Sequence, residues 1–357
     1  MKGKRRFPKI IKIGSKLVGE DQPTLFIADI GANFDGCLEK AKKLVLAAKK
    51  AGADVVKFQS FLSSKIVSGP SFAKMGLKGV HGTWEKPIEE VFKEAEFPRP
   101  WHKKLFNYCK KIGIIFISSP YDFEAVDLLD KLGVNFFKIG SGEITWPEML
   151  RYIAKKGKPM ILATGDSTLA EVDEAVRIIE ETGNNKLIIL QCITNYPSKI
   201  ESANINVLKT YQTTFDIITG YSDHSPGDIV VLGAIALGAK VIEKHLTLSR
   251  KDKGPDHPHS MEPQEFKEMV KKVRLLEKAL GTTRKEPVDE ESETVIVQRR
   301  SLHAIKDIAK GKRIKKNDII ELRPAVGIPP KYKEIVIGRR AKIKIKAGEA
   351  IYWENLD

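Results

Sequence analysis

Apolar and polar positions along this chain follow two alternating rhythms. Short apolar runs, as in Leu25 to Ile30 and Val55 to Phe58, are followed by stretches whose apolar residues fall three and four apart, as at positions 41, 44, 45 and 48. The first pattern predicts buried strands and the second amphipathic helices. Strands are expected at Leu25 to Ile30, Val55 to Gln59, Ile114 to Ser118, Asn135 to Ile139, Met160 to Thr164, Leu187 to Cys192, Ile217 to Tyr221 and Val241 to Lys244. Helices are expected between them at Leu38 to Ala51, Trp101 to Lys111, Asp122 to Leu132, Pro147 to Lys155, Leu169 to Glu181, Asn206 to Tyr211 and Ile229 to Leu237, with Pro263 to Leu280 after the last strand. Upstream, Ile11 to Leu17 reads as a strand that pairs with a neighbour. Ser60 to Pro100, punctuated by Gly and Pro, reads as a long irregular excursion above the strand ends.

Eight strands alternating with helices form the pattern of an α/β fold of the (β/α)8 TIM-barrel kind, in which functional groups gather at the carboxyl ends of the strands. That barrel, with its amino-terminal β extension, is expected over residues 1–281. Residues 282–297 are polar and acidic, contain Pro287, and read as a linker. Over 298–357 the segments are short and strand-like, broken by turn signals such as Lys310-Gly311-Lys312 and Gly327-Ile328-Pro329-Pro330, which predicts a small, mostly-β domain.

A barrel makes the polar residues near strand ends informative. Asp29, Lys57 and Gln59, Ser118 and Ser119, Lys138 and Ser141, Thr164 and Asp166, Thr194 and Asn195, His224, and Glu243 and His245 occupy such positions. Charged side chains are seldom buried without a partner. Lys57 and Lys138 together predict a cationic pocket, helped by the backbone amides of Gly140-Ser141-Gly142. The plainer alternative is a buried ion pair with Asp29 or Glu143. The densest polar stretch, Gly220 to Met261, carries His224, Glu243, His245, Asp256 and His257. Its strand–helix–strand pattern brings the carboxyl ends of two parallel strands to one side, where His224 and His245 are expected to meet. Two imidazoles suit an open Lewis-acid cation site for manganese, cobalt, zinc or magnesium. The alternative is that each histidine only hydrogen-bonds within the barrel mouth.

Charge and composition narrow the partners. The 357 residues carry a formal net charge of +15, with lysines spread among Glu and Asp along the expected helices. Only the head, KGKRRFPK, is a basic block, and no aromatic-rich basic stretch accompanies it, so no nucleic-acid partner is expected. No apolar run approaches the roughly 20 residues that span a bilayer, and the head lacks a signal peptide's apolar segment. No membrane partner and a cytoplasmic location are therefore expected. Cys37, Cys109 and Cys192 are scattered and read as buried free thiols. Trp84, Trp101 and Trp146 read as packing residues.

Ten collinear strings, among them FIADIGANFDG (26–36), AGADVVKFQ (51–59), FKIGSGEITW (137–146), GYSDH (220–224), ALGAKVIEKHLTL (236–248), GPDHPHSMEP (254–263) and LRPAVGIPP (322–330), carry a resemblance over nearly the whole chain. The chain resembles the N-acetylneuraminate (sialic acid) synthase family, and its last part looks like the antifreeze-like (SAF) domain that accompanies the barrel in those enzymes. The resemblance implies condensation of phosphoenolpyruvate with the open-chain aldehyde of an N-acylated amino sugar. It implies Lys57, Lys138 and Ser141 on the phosphate and carboxylate of phosphoenolpyruvate, with Gln59, Ser119 and Glu143 nearby. His224 and His245 would hold a divalent cation, Mn2+ first and Mg2+ or Co2+ as alternatives. Glu243 and Asp256 would orient the sugar or a water on the metal, and Asp29 would be a catalytic carboxylate. Arg323 would reach the sugar of a second subunit in a homodimer with swapped carboxyl-terminal domains.

Departures stand beside the matches. Members usually carry Glu at the position of Asp29, His at Phe34 and His at Gln191, while Asp166 and Thr194-Asn195-Tyr196 also differ on the expected sugar side. The acceptor is left open among N-acetylmannosamine, its 6-phosphate and a diamino-dideoxy sugar. Two rival readings are another phosphoenolpyruvate–aldose condensing barrel and a sugar-binding or regulatory protein without turnover.

Overall fold

The computed structural model describes residues 7–75 and 86–357. Most of the basic head and Trp84 lie outside the described residues. The chain divides into two compact units, one ending at Gly281 and the other beginning at Thr282. Among the described residues no helix is long and apolar enough to cross a membrane.

The first unit opens with a correction. Where the sequence predicts one strand from Ile11 to Leu17, the chain folds back on itself as a hairpin of β1 (Ile10–Ile13) and β2 (Lys16–Gly19), with Ile13 opposite Lys16. Gly14 permits the reversal because its φ of +59° is costly for a residue with a Cβ. The hairpin buries Ile11, Ile13 and Val18.

Eight parallel strands follow: β3 (Leu25–Asp29), β4 (Val55–Ser60), β5 (Ile115–Pro120), β6 (Phe137–Ile139), β7 (Met160–Ala163), β8 (Leu187–Cys192), β9 (Ile218–Asp223) and β10 (Val241–His245). Their order, β5-β4-β3-β10-β9-β8-β7-β6, ends on two strands that also lie against one another, which brings the sheet round into a barrel. Helices lie between successive strands. In Leu38–Lys50 the buried residues are Ala41, Leu44, Val45 and Ala48, the stripe read from the spacing.

Strand pleating then sorts the polar residues. Side chains two apart share a face, so Lys57 and Gln59 of β4 point together, as do Glu243 and His245 of β10. Register places His245 beside Asp29 and Asp29 beside Lys57 across β10, β3 and β4. The opposite face holds a separate pair: Lys244 donates to Asp223 at 2.5 Å and to the Ser225 carbonyl at 2.6 Å, with both charged side chains buried.

The excursion after β4 is more ordered than expected. Its described part forms short helices at Ser63–Ile66, Gly69–Ala73 and Ile88–Ala95. Ser63 ties the first to the third, its hydroxyl donating to Glu89 O at 2.9 Å and its N–H to Glu96 at 2.7 Å. Beneath it an aromatic cluster closes this side of the barrel. Phe58 and Phe97 stack at 4.5 Å between centroids, and Phe34 meets Phe97 at 5.7 Å and Trp101 at 5.9 Å. Trp146, half-exposed, packs edge-on against Phe123. Of the three cysteines, Cys109 and Cys192 are buried, but Cys37 is exposed because it precedes the helix at Leu38 on a surface turn.

In the second unit β11 (Ser301–Ala304) and β12 (Ile319–Leu322) pair antiparallel over a core that includes Leu302, Ile314, Ile328, Val336 and Ile351. The expected linker is not featureless: Ser292–Gln298 is a helix of largely exposed side chains, anchored by the Ala325 N–H on Ile296 O at 2.9 Å.

Phe34 is therefore a packing residue. Phe34→Ala should lower unfolding stability by about 3 kcal/mol, read from the urea midpoint; an unchanged midpoint would remove Phe34 from the core.

Candidate active site

At the carboxyl end of the barrel four buried charges form a chain. Lys57 Nζ lies 2.7 Å from Asp29 Oδ2 and 3.6 Å from Glu243 Oε1, and Lys138 Nζ lies 3.1 Å from the same Glu243 oxygen. Ser222 Oγ donates to Glu243 Oε1 at 3.0 Å, while Glu243 Oε2 is buried without a hydrogen-bond partner. Burial by itself would push the Asp29 carboxyl up. Lys57 above all, with His245 and Lys138, outweighs it and holds the carboxyl well below the usual carboxylate range. Lys57 likewise keeps its charge against burial because Asp29 and Glu243 flank it. The two lysines are thus in ion pairs and in one pocket at once. Each ammonium carries three donors, so a bound anion can share them with the carboxylates.

Beside this floor stand the imidazoles. His224 and His245 have ring centroids 5.5 Å apart, and His245 Nε2 lies 3.3 Å from Asp29 Oδ2. His224 Nδ1 faces the Ile193 carbonyl at 2.8 Å, which makes Nδ1 the donor and leaves Nε2 as the free lone pair. Burial, then the neighbouring His245, holds His224 well below the ordinary imidazole range, in the neutral form that ligates a metal. Tyr196 covers both rings, at 4.2 Å from His224 and 6.0 Å from His245.

Gly31 lets the Asp256 loop approach. It sits at φ +51°, and a Cβ there would stand 2.2 Å from Asp256 Oδ2. The same oxygen accepts the Ala32 N–H at 2.8 Å. A cavity of about 170 Å³ opens here, with Gln59, Tyr196, His245 and Asp256 on one side and Phe61, Val91 and Phe92 on the other.

The remaining expected anion ligands surround the lysines. Ser119 Oγ is buried without a hydrogen-bond partner, and Ser141 Oγ accepts the Gly165 N–H at 3.0 Å. Glu143 Oε2 is also unpartnered, and burial carries this carboxyl up to about 7, with Lys138 opposing. Orphaned buried polar atoms of this kind are groups waiting for a ligand or water.

Other expected residues lie at the edge. Asp166 and Asn195 are exposed, and Asn195 donates to Pro197 O at 2.9 Å. Arg323 belongs to the second unit and is exposed there. Gln191 points out of the barrel toward Tyr211 and Ala203, while its neighbour Cys192 faces in, 3.9 Å from His224 Nδ1. The reading missed His259, whose ring lies 4.8 Å from that of His245. His257, named with the polar residues of that stretch but given no role, bonds Thr247 at 2.6 Å and Asp35 at 2.8 Å. The string Asp256-His257-Pro258-His259 held the signal without saying which imidazole turns inward.

Ionisable groups concentrated at the carboxyl ends of barrel strands define an enzyme. Comparison with known proteins says of which kind: the chain belongs to the NeuB family, matched over residues 44–285, with a SAF domain matched over 299–357. It is an enzyme of the N-acetylneuraminate synthase type. It is 39% identical over 330 residues to N,N'-diacetyllegionaminic acid synthase of Campylobacter jejuni, covering 92% of this chain and 98% of the relative. A relative in Methanocaldococcus jannaschii, described only as an uncharacterized protein, is 41% identical over 346 residues, covering 97% and 98%. Among solved structures, N-acetylneuraminic acid (sialic acid) synthetase from Leptospira borgpetersenii serovar Hardjo-bovis in complex with citrate superposes at TM-score 0.73 with 30% identity, covering 80% of this chain and 95% of that one.

Glu143 gives a pH signature. Its ordinary value is 4.5 and its folded value about 7, so the folded chain holds a proton that the unfolded chain gives up. Stability from this group is fully present below about pH 4.5 and is lost as pH rises through 7. Glu143→Gln should therefore gain on the order of 2 kcal/mol over the parent between pH 4.5 and 8. Parallel denaturation profiles for the two proteins would show that the carboxyl is not displaced.

Proposed function

We propose that the protein condenses phosphoenolpyruvate with the open-chain aldehyde of an N-acylated amino sugar and water, releasing inorganic phosphate and leaving a nine-carbon 2-keto acid. The observation that carries this reading is the pair of buried lysines, Lys57 and Lys138, set beside imidazoles and carboxylates with unfilled valence. The names of the relatives, synthases of sialic-type acids, support it.

Lys57 and Lys138 bind the phosphate and carboxylate of phosphoenolpyruvate, with the hydroxyls of Ser119 and Ser141 against its oxygens. Glu143, able to keep its proton near neutral pH, donates to the same anion rather than repelling it. Asp29, held ionised, is the carboxylate placed to accept a hydrogen bond from water or from a sugar hydroxyl and so orient it. Asp256 and Gln59 border the cavity and orient the acceptor. His224 and His245 fit a divalent cation, since His224 has one nitrogen fixed by a carbonyl and its other lone pair free, and His245 Nδ1 is buried without a partner. Such a cation, Mn2+ or a similar ion, supplies Lewis-acid polarisation of the aldehyde carbonyl when bound.

The acceptor lies against Phe61, Val91 and Phe92, and among the described residues no lysine or arginine lines this cavity. That wall favours a sugar with acyl or deoxy groups, of the diamino-dideoxy kind, over a 6-phosphate. Arg323 in the SAF domain serves the acceptor site of a second subunit, in a homodimer that exchanges these domains.

Two measurements test this. Phosphate release from phosphoenolpyruvate with Mn2+ should appear with N-acetylmannosamine or a diacetamido hexose and be weakest with the 6-phosphate; silence across the panel in folded, metal-loaded protein would reject a synthase. Lys138→Ala and Arg323→Ala should each lose at least about 100-fold in kcat/KM, by analogy with removing a transition-state charge contact. Refolded as a mixture, they should recover part of the activity. Verified heterodimers without recovery would reject the exchanged dimer.

A further inference from the structure

The turn after β10 carries two histidines whose surroundings differ completely. His257 has both ring nitrogens occupied, by Thr247 and Asp35, and is fully buried. His259, two residues on in the same 3-10 turn, has its Nε2 buried with no hydrogen-bond partner. His245 Nδ1 is in the same condition. Ligand atoms of His245, Asp256 and His259 all lie within 4.8 Å of one another. The rings of His245 and His259 meet edge to face at 76°, with centroids 4.8 Å apart.

The turn is fixed by contacts that leave ligand capacity on these side chains. Ser260 Oγ donates to the Asp256 carbonyl at 2.6 Å, and Asn33 Nδ2 donates to Ser260 Oγ at 2.9 Å and to Leu246 O at 2.9 Å. Asp256 is held by the Ala32 N–H. Three side chains from two segments are thus positioned in advance, with their lone pairs left over.

We propose that His259 is a further ligand of the divalent cation assigned above to His224 and His245, joining the site together with Asp256. This rests on the functional reading above, in which a cation belongs at the barrel mouth. Three nitrogens and one oxygen still leave positions open for water or a substrate oxygen, and the set discriminates against Mg2+, which prefers an all-oxygen shell. His224 stands outside the mutual 4.8 Å group and completes the site from the other side of His245, with the two ring centroids 5.5 Å apart.

The test uses the full-length protein stripped with a chelator and titrated with Mn2+ alone, free Mn2+ being read by its electron paramagnetic resonance signal. Wild type should bind one ion per chain, His245→Ala should abolish tight binding, and His259→Ala should weaken it about tenfold or more. Circular dichroism confirms folding, and His259→Gln replaces the Ala variant if that does not fold. Competition should show Co2+ displacing Mn2+ and Mg2+ failing to do so at equal concentration in wild type, with Mg2+ gaining ground in the His259 variant. Binding by His259→Ala within twofold of wild type, with His245→Ala defective, would overturn the role of His259 and leave the cation site standing. Wild type that binds no Mn2+ at all would overturn both.

Discussion

Two lysines and two carboxylates share the carboxyl end of this barrel with almost no access to water, and much else follows from keeping them together. Lys57 and Asp29 are each only 3% exposed and 2.7 Å apart, and Glu243 joins them to Lys138. Removing one partner from such a pair leaves an uncompensated buried charge, which costs about 3–5 kcal/mol. The chain is therefore all or none: its members are affordable only as a group. Strand register makes the group possible, since β10, β3 and β4 bring His245, Asp29 and Lys57 abreast. A slip of one residue would turn Lys57 toward the helical layer and Phe58 into the mouth. On the other face Asp223 and Lys244 make their own pair, so the fields of the two faces are separately neutralised.

A floor of balanced ion pairs is also a receptive one. Lys57 and Lys138 have donors to spare, Ser119, Glu143 and Glu243 present unpartnered atoms, and burial strengthens every interaction made there. Stability alone does not account for so many unsatisfied groups in one place, because each carries a desolvation cost that an apolar side chain would avoid. The same holds for His245 and His259 at the mouth.

The barrel was legible because its signals are local and repeated: apolar runs, helical stripes such as Ala41, Leu44, Val45 and Ala48, and lysines out of place in strands. Lys57 and Lys138 stood out since a charge inside an apolar run demands an explanation. Features decided by long-range contacts were not legible. The hairpin at Gly14 and a single strand share the same alternation, and only the turn separates them. The short helices after Ser60 are held by Ser63 contacts with Glu89 and Glu96, not by their own periodicity. The choice between His257 and His259 depends on how Asn33 and Ser260 rotate a turn more than 200 residues away from Asn33.

The positions at which this chain departs from its family's usual residues sort by direction. Phe34 joins Phe58, Phe97 and Trp101 in the aromatic cluster, and Gln191 points toward Tyr211, so neither borders the buried charges at the barrel mouth. Asp29 does. With one methylene fewer than Glu, its carboxylate sits close to its own backbone, accepting the Gly31 N–H at 3.0 Å, and still reaches Lys57, Gln59 and His245. The shorter side chain is thus fixed from several directions at once, and a carboxylate so restrained has one orientation to offer. The other lining residues of the cavity, Phe61, Val91 and Phe92, belong to the excursion and not to the barrel, so its shape there can change without disturbing the buried charges.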